Sequence, residues 1–455
     1  HSGIYPLGNQ AWYDNAIAVS PADADKIYFG GIMMYTYSPS TGLHKIPDFT
    51  YPEAAANKNM EQFLYAINDR NADEIYAATN KGVFKTTEGV SNFTSTQFYD
   101  HNYQLNARDF LSLAVAHNGQ VIGGSLDAPG LLIGNINDRH FINLNSDFED
   151  CAFSQIDTNY VFIEGYYGRL MESKDMMASF FSALDTAIDP YNYGYPSTCN
   201  NNYFSHFILH ETRTAYTTTD TVSFTANTQL AAGSTIDGKS VNANTTFQYI
   251  LSQNINSGEV IHVPDPIKSR LFFTSGCGIW MKRHAESIVN PDWYHITGYN
   301  PGYIARFAVT KDGNKIYWGM DGGFVMSIEG LNLAHYNRSD MIDSFHVVKD
   351  TIKHAGDIES IAIDPNNDSI MLVTTGGTNL LSDSNVFKST DAGHTWKSIQ
   401  VGPKGLAAYT CVIDMNNSNN YIIGTEHGIW TSADAGATWH PDYGEMCDVP
   451  VFQLN

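Results

Sequence analysis

The chain has 455 residues and a formal net charge of −23, with 43% apolar, 13% aromatic and 16% charged residues. That negative balance repels phosphate backbones and anionic membrane surfaces and argues against a nucleic-acid partner, and no run reaches the ~18 apolar residues of a membrane-crossing helix. Few charges beside many Tyr and Phe favour strands, and the apolar share suffices for a sizeable core.

In chain order, short apolar strand patterns alternate with polar turns. The start at His1, with no charged segment followed by an apolar core, reads as a mature or trimmed product. A first unit runs NAIAVSP, turn ADAD, KIYFGG, MMYTYS and GLHKI; a second runs FLYAIND, turn RNAD, EIYAAT and GVFKTT. The third is FLSLAVAH, QVIGGS, GLLIGN and HFINLN, and the fourth CAFSQIDT, YVFIEG and GRLMES. Residues 190–257 break this rhythm with a Thr/Asn/Ser-rich tract whose β-branched alternation and GST and DGK turn signals predict short hairpins. The rhythm resumes as EVIHVPDP, SRLFFTSG, GIWMKR and DWYHI, then as IARFAVTK, NKIYWGM, GGFVMS and LAHYN, followed by two further units.

Each unit is too small to bury its own faces, so eight of them predict radial stacking. The expected fold is all-β: a single β-propeller of about eight four-stranded blades, seven being the alternative count, with a β-rich insertion. Blades 1–4 would occupy 1–189, the insertion 190–257, and blades 5–8 with a closing strand 258–455. The tail DVPVFQLN either completes the ring or begins a further blade.

The last two units repeat one sentence, Ser-x-Asp-x-Gly-x-Thr-Trp: Ser389, Asp391, Gly393, Thr395, Trp396, and again Ser432, Asp434, Gly436, Thr438, Trp439. The two Asp residues are 43 residues apart. In such a turn a carboxylate satisfies backbone N–H groups, a Gly permits positive φ and a Trp packs beneath, so the role is structural. A degenerate copy has Glu88, Gly89 and Phe93, and another keeps Ser173, Asp175 and Phe180 with Met177 where Gly belongs. The motif resembles the Asp-box, or BNR repeat, of sialidase-type propellers, family 74 glycoside hydrolases and sortilin-type receptors. In that family the box lies on the face opposite the ligand site. The opening GNQAWYDNAIAVSPADADKIYFGG and the tail also look like secreted surface propellers of Bacteroidetes, and that likeness implies an extracellular or outer-cell-surface location.

Aligning first strands on Ile17, Tyr65, Leu113, Ser154 and Ile361 places Glu61, Asp109, Asp150 and Asp357 four residues earlier in four units; Asp14 and Glu259 fall one residue later in two others. These carboxylates are expected to ring the channel mouth. Close carboxylates can act as general acid and base, which makes Glu61, Asp109, Asp150 and Asp357 the catalytic candidates; Asp109 and Asp150 are the candidates for holding a cation such as Ca²⁺. A solvated rim of acidic loop ends is the plainer reading, and no cofactor is required. Trp12, Tyr13 and Asp14, just before a first strand, are the ligand-binding candidates, because flat rings stack on sugar faces; Trp293 and Trp318 read as core.

Sialidase chemistry needs three converging arginines, and the chain has nine scattered ones and no Arg-Ile/Leu-Pro tripeptide. Family 74 endoglucanases use a cleft between two propellers, for which the chain has no room. Asp364-Pro-Asn366-Asn-Asp368 mimics the start of a calcium loop but reads as a turn, and the sixteen histidines form no zinc motif. Of the five cysteines, Cys151 with Cys199 or Cys411 with Cys447 could pair, the alternative being buried thiols. The expected function is binding of a glycan or a surface protein at the channel mouth and insertion, with a glycoside hydrolase built on the carboxylate ring, or a scaffold or adhesin subunit, as alternatives.

Overall fold

The computed structural model describes residues 16–30, 34–46, 62–68, 70–79, 82–87, 98–100, 112–124, 130–135, 138–144, 148–165, 169–183, 206–213, 220–275, 278–286, 293–297, 306–332, 345–377, 384–442 and 449–454. All named elements among them are strands. They divide between two compact units, His1–Asp109 and Phe110–Asn455.

Eight four-stranded antiparallel sheets, each a meander, follow one another along the chain. Sheets 1 and 2 belong to the first unit, and sheets 3 to 8 to the second. The turn from first to second strand recurs in chemistry as well as position. Asn68, Asn118, Asp157, Asp312, Asp364 and Asp414 each accept a hydrogen bond from the N–H two residues on, a side-chain turn that closes the hairpin. Asp364, placed at the start of a calcium-like loop, is thus a turn residue; its Oδ1 also accepts the Ser418 hydroxyl at 2.9 Å.

Within the second unit the first strands lie side by side in chain order. Between each successive pair of sheets sits one apolar cluster. Ile122 and Ala114 of sheet 3 meet Cys151 and Ile163 of sheet 4; Phe162 meets Phe207 and Phe273; Phe272 and Met281 meet Ile316 and Trp318; Tyr317 and Val325 meet Ile361 and Val373; Leu372 and Val386 meet Cys411 and Ile423. Neighbouring residues of one central strand, such as Phe162 and Ile163, therefore feed different clusters, which is why these strands read as continuous apolar runs. Each large side chain so buried contributes about 1.5–3 kcal/mol. Trp293 and Trp318 are both core, and the Trp293 indole N–H donates to Ala183 O at 3.0 Å.

Both full Ser-x-Asp turns join third to fourth strands with the same geometry. Ser389 Oγ donates to Asp391 Oδ1 at 2.8 Å and accepts Gly393 N–H at 2.9 Å, while Asp391 accepts the Thr395 N–H at 2.8 Å and hydroxyl at 2.6 Å. Ser432, Asp434, Gly436 and Thr438 repeat all four bonds within the second copy. The third copy is complete in hydrogen bonding although Met177 stands in the Gly position: Ser173 Oγ accepts Met177 N–H at 2.8 Å, and Met177 has φ 71°. Each of the two full turns is also held by the preceding sheet, Tyr317 Oη donating to Ala392 O and Lys388 Nζ to Ala435 O.

Several assignments differ from the sequence reading. The first strand of sheet 5 is Phe207–Thr212, which pairs with Lys268–Ser275; Val260–Pro264, expected in that role, pairs instead with Thr221–Thr225. A second hairpin, Thr235–Lys239 with Thr246–Ile250, shares a core of Val222, Ile236, Leu251, Ile255 and Val263 with the first. This β-rich insertion thus occupies the place of the first hairpin turn in sheet 5. Its Glu259 accepts Asn256 N–H at 2.9 Å and belongs to no first strand. The fourth strand of sheet 6 is Val348–Thr351; LAHYN lies outside the described residues.

Register also corrects the acidic alignment. Cys151, Ile361 and Cys411 pair with Ile163, Val373 and Ile423, which pair in turn with Met171, Phe387 and Trp430, each two residues before the Ser of a Ser-x-Asp turn. Cys151, not Ser154, is therefore the equivalent of Ile361. A register shift precedes all three, so Asp150 corresponds to Ser360 and Thr410 rather than to Asp357. Cys151 and Cys411 are free buried thiols, which removes both expected pairings, and burial pushes each up to about 12.

Candidate functional site

The residue before that core position stitches consecutive first strands together. Ser112 Oγ accepts Cys151 N–H at 3.2 Å, Ser360 Oγ accepts Cys411 N–H at 3.4 Å, and Thr410 Oγ1 accepts Leu454 N–H at 3.3 Å. Sheet 4 breaks the series by placing a carboxylate there, and around that exception a polar cluster assembles.

Asp150 Oδ1 accepts the Ser112 hydroxyl at 2.9 Å and Cys151 N–H at 3.0 Å. Its Oδ2 faces His206 Nδ1 at 3.7 Å and Arg306 Nη1 at 3.6 Å. His206 and Arg306 each immediately precede the first strand of their sheets, 5 and 6, so four successive sheets contribute to one spot. The His206 backbone is pinned by Thr274 Oγ1, which accepts its N–H at 2.9 Å and donates to its carbonyl at 3.2 Å. Burial alone would raise the Asp150 carboxyl, but His206, Arg306 and Ser112 override it and hold it below the ordinary range. Burial, then the Arg306 cation, depresses His206, so at neutral pH the ring is uncharged. Its Nδ1 is buried with no hydrogen-bond partner among the described residues.

Arg306 also acts on an acid of sheet 7. Glu359, in the register shift of the first strand of sheet 7, is raised by burial and by Asp357 against the pull of Arg306; Asp321 is raised by burial and by Asp357. A Cβ on Gly376 would lie 2.7 Å from Glu359 Oε1, so a side chain there would push the carboxyl aside. Asp357 accepts Gly322 N–H at 2.8 Å.

Of the candidates read from sequence, the structure thus brings Asp150 and Asp357 to this end of the strands. Glu61, Asp109, Trp12, Tyr13 and Asp14 lie outside the described residues. His206, Arg306 and Glu359 were missed: two precede strands that the alignment had mis-set or did not include, and the signal that would have found them is the break in the Ser/Thr series at Asp150. The insertion leaves sheet 5 at Arg213, the far end of the strand that begins beside His206, so the two do not form one surface as expected.

Chemically, the cluster mixes fixed acceptors with a cation and a neutral imidazole. The order Ser112–Asp150–His206 puts the carboxylate between hydroxyl and ring, so His206 cannot take the Ser112 proton and these three do not form a nucleophilic triad. Among the described residues no group of three or more His, Cys, Asp or Glu side chains is placed to hold a metal ion, and no helix is long and apolar enough to cross a membrane.

No protein-family model matches the chain, and no curated protein matches it in sequence. Solved structures resemble it in fold. YCF48 from Cyanidioschyzon merolae is 12% identical with a TM-score of 0.44, covering 83% of this chain and 97% of its own. YCF48 bound to D1 peptide is 10% identical with a TM-score of 0.41, covering 73% and 79%. An ancestral GH74 enzyme is 12% identical with a TM-score of 0.31, covering 93% of this chain and 72% of its own. In fold, the chain is an all-β propeller.

Proposed function

We propose that this propeller is a secreted or cell-surface binding protein that takes a polyhydroxylated ligand, a glycan, at the first-strand ends around Asp150, His206 and Arg306. The observation that carries this reading is the buried His206 Nδ1, without a hydrogen-bond partner among the described residues, beside an Asp–Arg pair. Sugar hydroxyls both donate and accept, so they can satisfy a carboxylate, a guanidinium and an imidazole at once, whereas an anion would meet Asp150, Asp357 and Asp321. Trp12, Tyr13 and Asp14 are proposed as rim residues. The Ser-x-Asp turns are proposed as Asp-boxes with a structural role, on the hydrogen bonds that they make within themselves.

A second reading, glycoside hydrolysis, is favoured by one observation: Asp150 is held ionised while Glu359 is pushed up, and both face Arg306. Carboxyls whose environments drive their pKa values apart are suited to acid and base roles. A glycan array run beside a hydrolysis screen, with and without Ca²⁺, on the wild type and Arg306→Ala tests both. Glycan binding that Arg306→Ala abolishes, without turnover, supports the binding protein; turnover lost in Glu359→Gln replaces it with the hydrolase. Binding to neither glycan nor polysaccharide sinks both.

A further inference from the structure

At the opposite end of the strands, Ser154 follows the first strand of sheet 4, and its Oγ is fixed by the N–H groups of Ile156 at 3.1 Å and Asp157 at 3.0 Å. The same oxygen lies 2.6 Å from Glu286 Oε1 and 3.0 Å from Glu211 Oε1. Glu211 sits on the first strand of sheet 5; Glu286 follows its third strand, Gly278–Lys282, and is buried. Glu211 also accepts the Ser269 hydroxyl at 2.9 Å and Gln155 N–H at 2.7 Å. Glu286 Oε2 accepts Asn244 N–H at 2.7 Å, from the loop of the insertion's second hairpin, and Asn244 Nδ2 reaches Asp157 Oδ2 at 3.4 Å.

One hydroxyl hydrogen cannot serve two carboxylates. Ser154 Oγ already accepts the Ile156 and Asp157 N–H groups, so it can only donate, its one hydrogen goes to one carboxyl, and the two buried carboxyls share this oxygen without repulsion only when one of them carries a proton. We propose that Glu286 is a proton-controlled latch that clamps the insertion loop around Asn244 against the Ser154–Asp157 turn of sheet 4. Protonated, it links three elements; ionised, it sets a second buried negative charge facing Glu211 and close to Asp157.

Burial is the main reason that Glu286 stays protonated up to about 7, with Glu211 and Asp157 adding to it against the Ser154 and Asn244 bonds. Glu211 is likewise raised, chiefly by burial. Among the described residues, Tyr160, itself influenced by Glu286, and Arg213, whose guanidinium donates to Ile156 O at 2.9 Å, also stand at the junction. Because the folded pKa is raised, the latch is fully closed below the ordinary carboxyl range and is lost as pH rises through about 7.

Hydrogen exchange of the Asn244, Ile156 and Asp157 amides from pH 5 to 9, corrected for intrinsic rates, tests this. The wild type should exchange about tenfold faster per pH unit as pH rises toward about 7 and level off above it. Glu286→Gln, which is neutral at every pH and keeps an amide oxygen to accept from Asn244, should show no such rise, and Glu211→Gln should move the transition to lower pH. Equal profiles in wild type and Glu286→Gln overturn the latch. If Glu286→Gln does not fold, an unmoved transition in Glu211→Gln overturns it instead.

Discussion

Leu454 N–H meets the Thr410 hydroxyl at 3.3 Å, the same bond that Cys411 makes to Ser360 one sheet earlier. The tail therefore stands on sheet 8 as a first strand stands on the sheet before it. Val451 N–H donates to Thr425 O at 3.0 Å, the Phe452 ring lies 4.7 Å from that of Tyr409, and a Cβ on Gly424 would fall 2.6 Å from Val451 O.

Thr410→Val should thus cost about 1 kcal/mol, the worth of one hydrogen bond. Gly424→Ala should cost about 1–3 kcal/mol through overpacking. Deleting 449–455 should relieve part of the Gly424→Ala penalty, leaving the contact with Thr410 Cγ2. Denaturant melts of the single and combined variants measure this coupling; strict additivity would mean that the tail does not press on Gly424.

The Ser-x-Asp turns make a prediction about acid. Hydrogen bonds from Thr395 and Ser389 hold Asp391 at about 2, and those from Thr438 and Ser432 hold Asp434 at about 2. A depressed carboxyl stabilises the fold above its unfolded value near 4, and that contribution is lost as pH falls through about 2. Asp391→Ala and Asp434→Ala should lower Tm at pH 7 and narrow their deficit at pH 2, with glycan binding unchanged. A variant that keeps its Tm yet loses binding would move these turns into the site.

Most of the fold was legible because propeller sheets repeat one local grammar: apolar runs, side-chain turns and a Ser-x-Asp turn at fixed offsets. The failures are equally local. EVIHVP and FILHET are both plausible strands, and only long-range pairing decides which one joins Lys268–Ser275. The register shift before Asp150 is invisible to an alignment that counts residues, since one unpaired residue moves every later side chain. His206 and Arg306 carry no motif; they matter through where their strands begin.

Met177 and Ala392 test how strain trades against burial, since both have positive φ, 71° and 58°. A left-handed non-glycine residue costs about 1–2 kcal/mol. Ala392→Gly removes that cost with little side chain to lose and should stabilise by about 1 kcal/mol. Met177 is 8% exposed and packs between sheets 3 and 4. Met177→Gly should therefore destabilise by about 1–3 kcal/mol, because losing a buried methionine outweighs the relief. Thermal melts that rank the two variants the other way would show that strain dominates at Met177.

The last prediction separates two groups that push stability in opposite directions with pH. His206 is depressed chiefly by burial, so the unfolded chain binds its proton first, and its contribution, full above about 6.5, is lost as pH falls. Glu286 is raised to about 7, so its contribution is full below about 4.5 and lost as pH rises. Between pH 5 and 7 the two slopes oppose, and the wild-type curve should look flatter than either group alone would make it. His206→Asn should leave stability falling as pH rises across that window, and Glu286→Gln should leave it rising. Asp150→Asn removes the carboxylate opposite Arg306; because the Arg306 side chain is 26% exposed, water softens the loss to about 1–3 kcal/mol. Urea melts at half-unit steps of pH decide it: if His206→Asn and Glu286→Gln bend the curve the same way, at least one of the two groups is titrating in an environment unlike the one seen here.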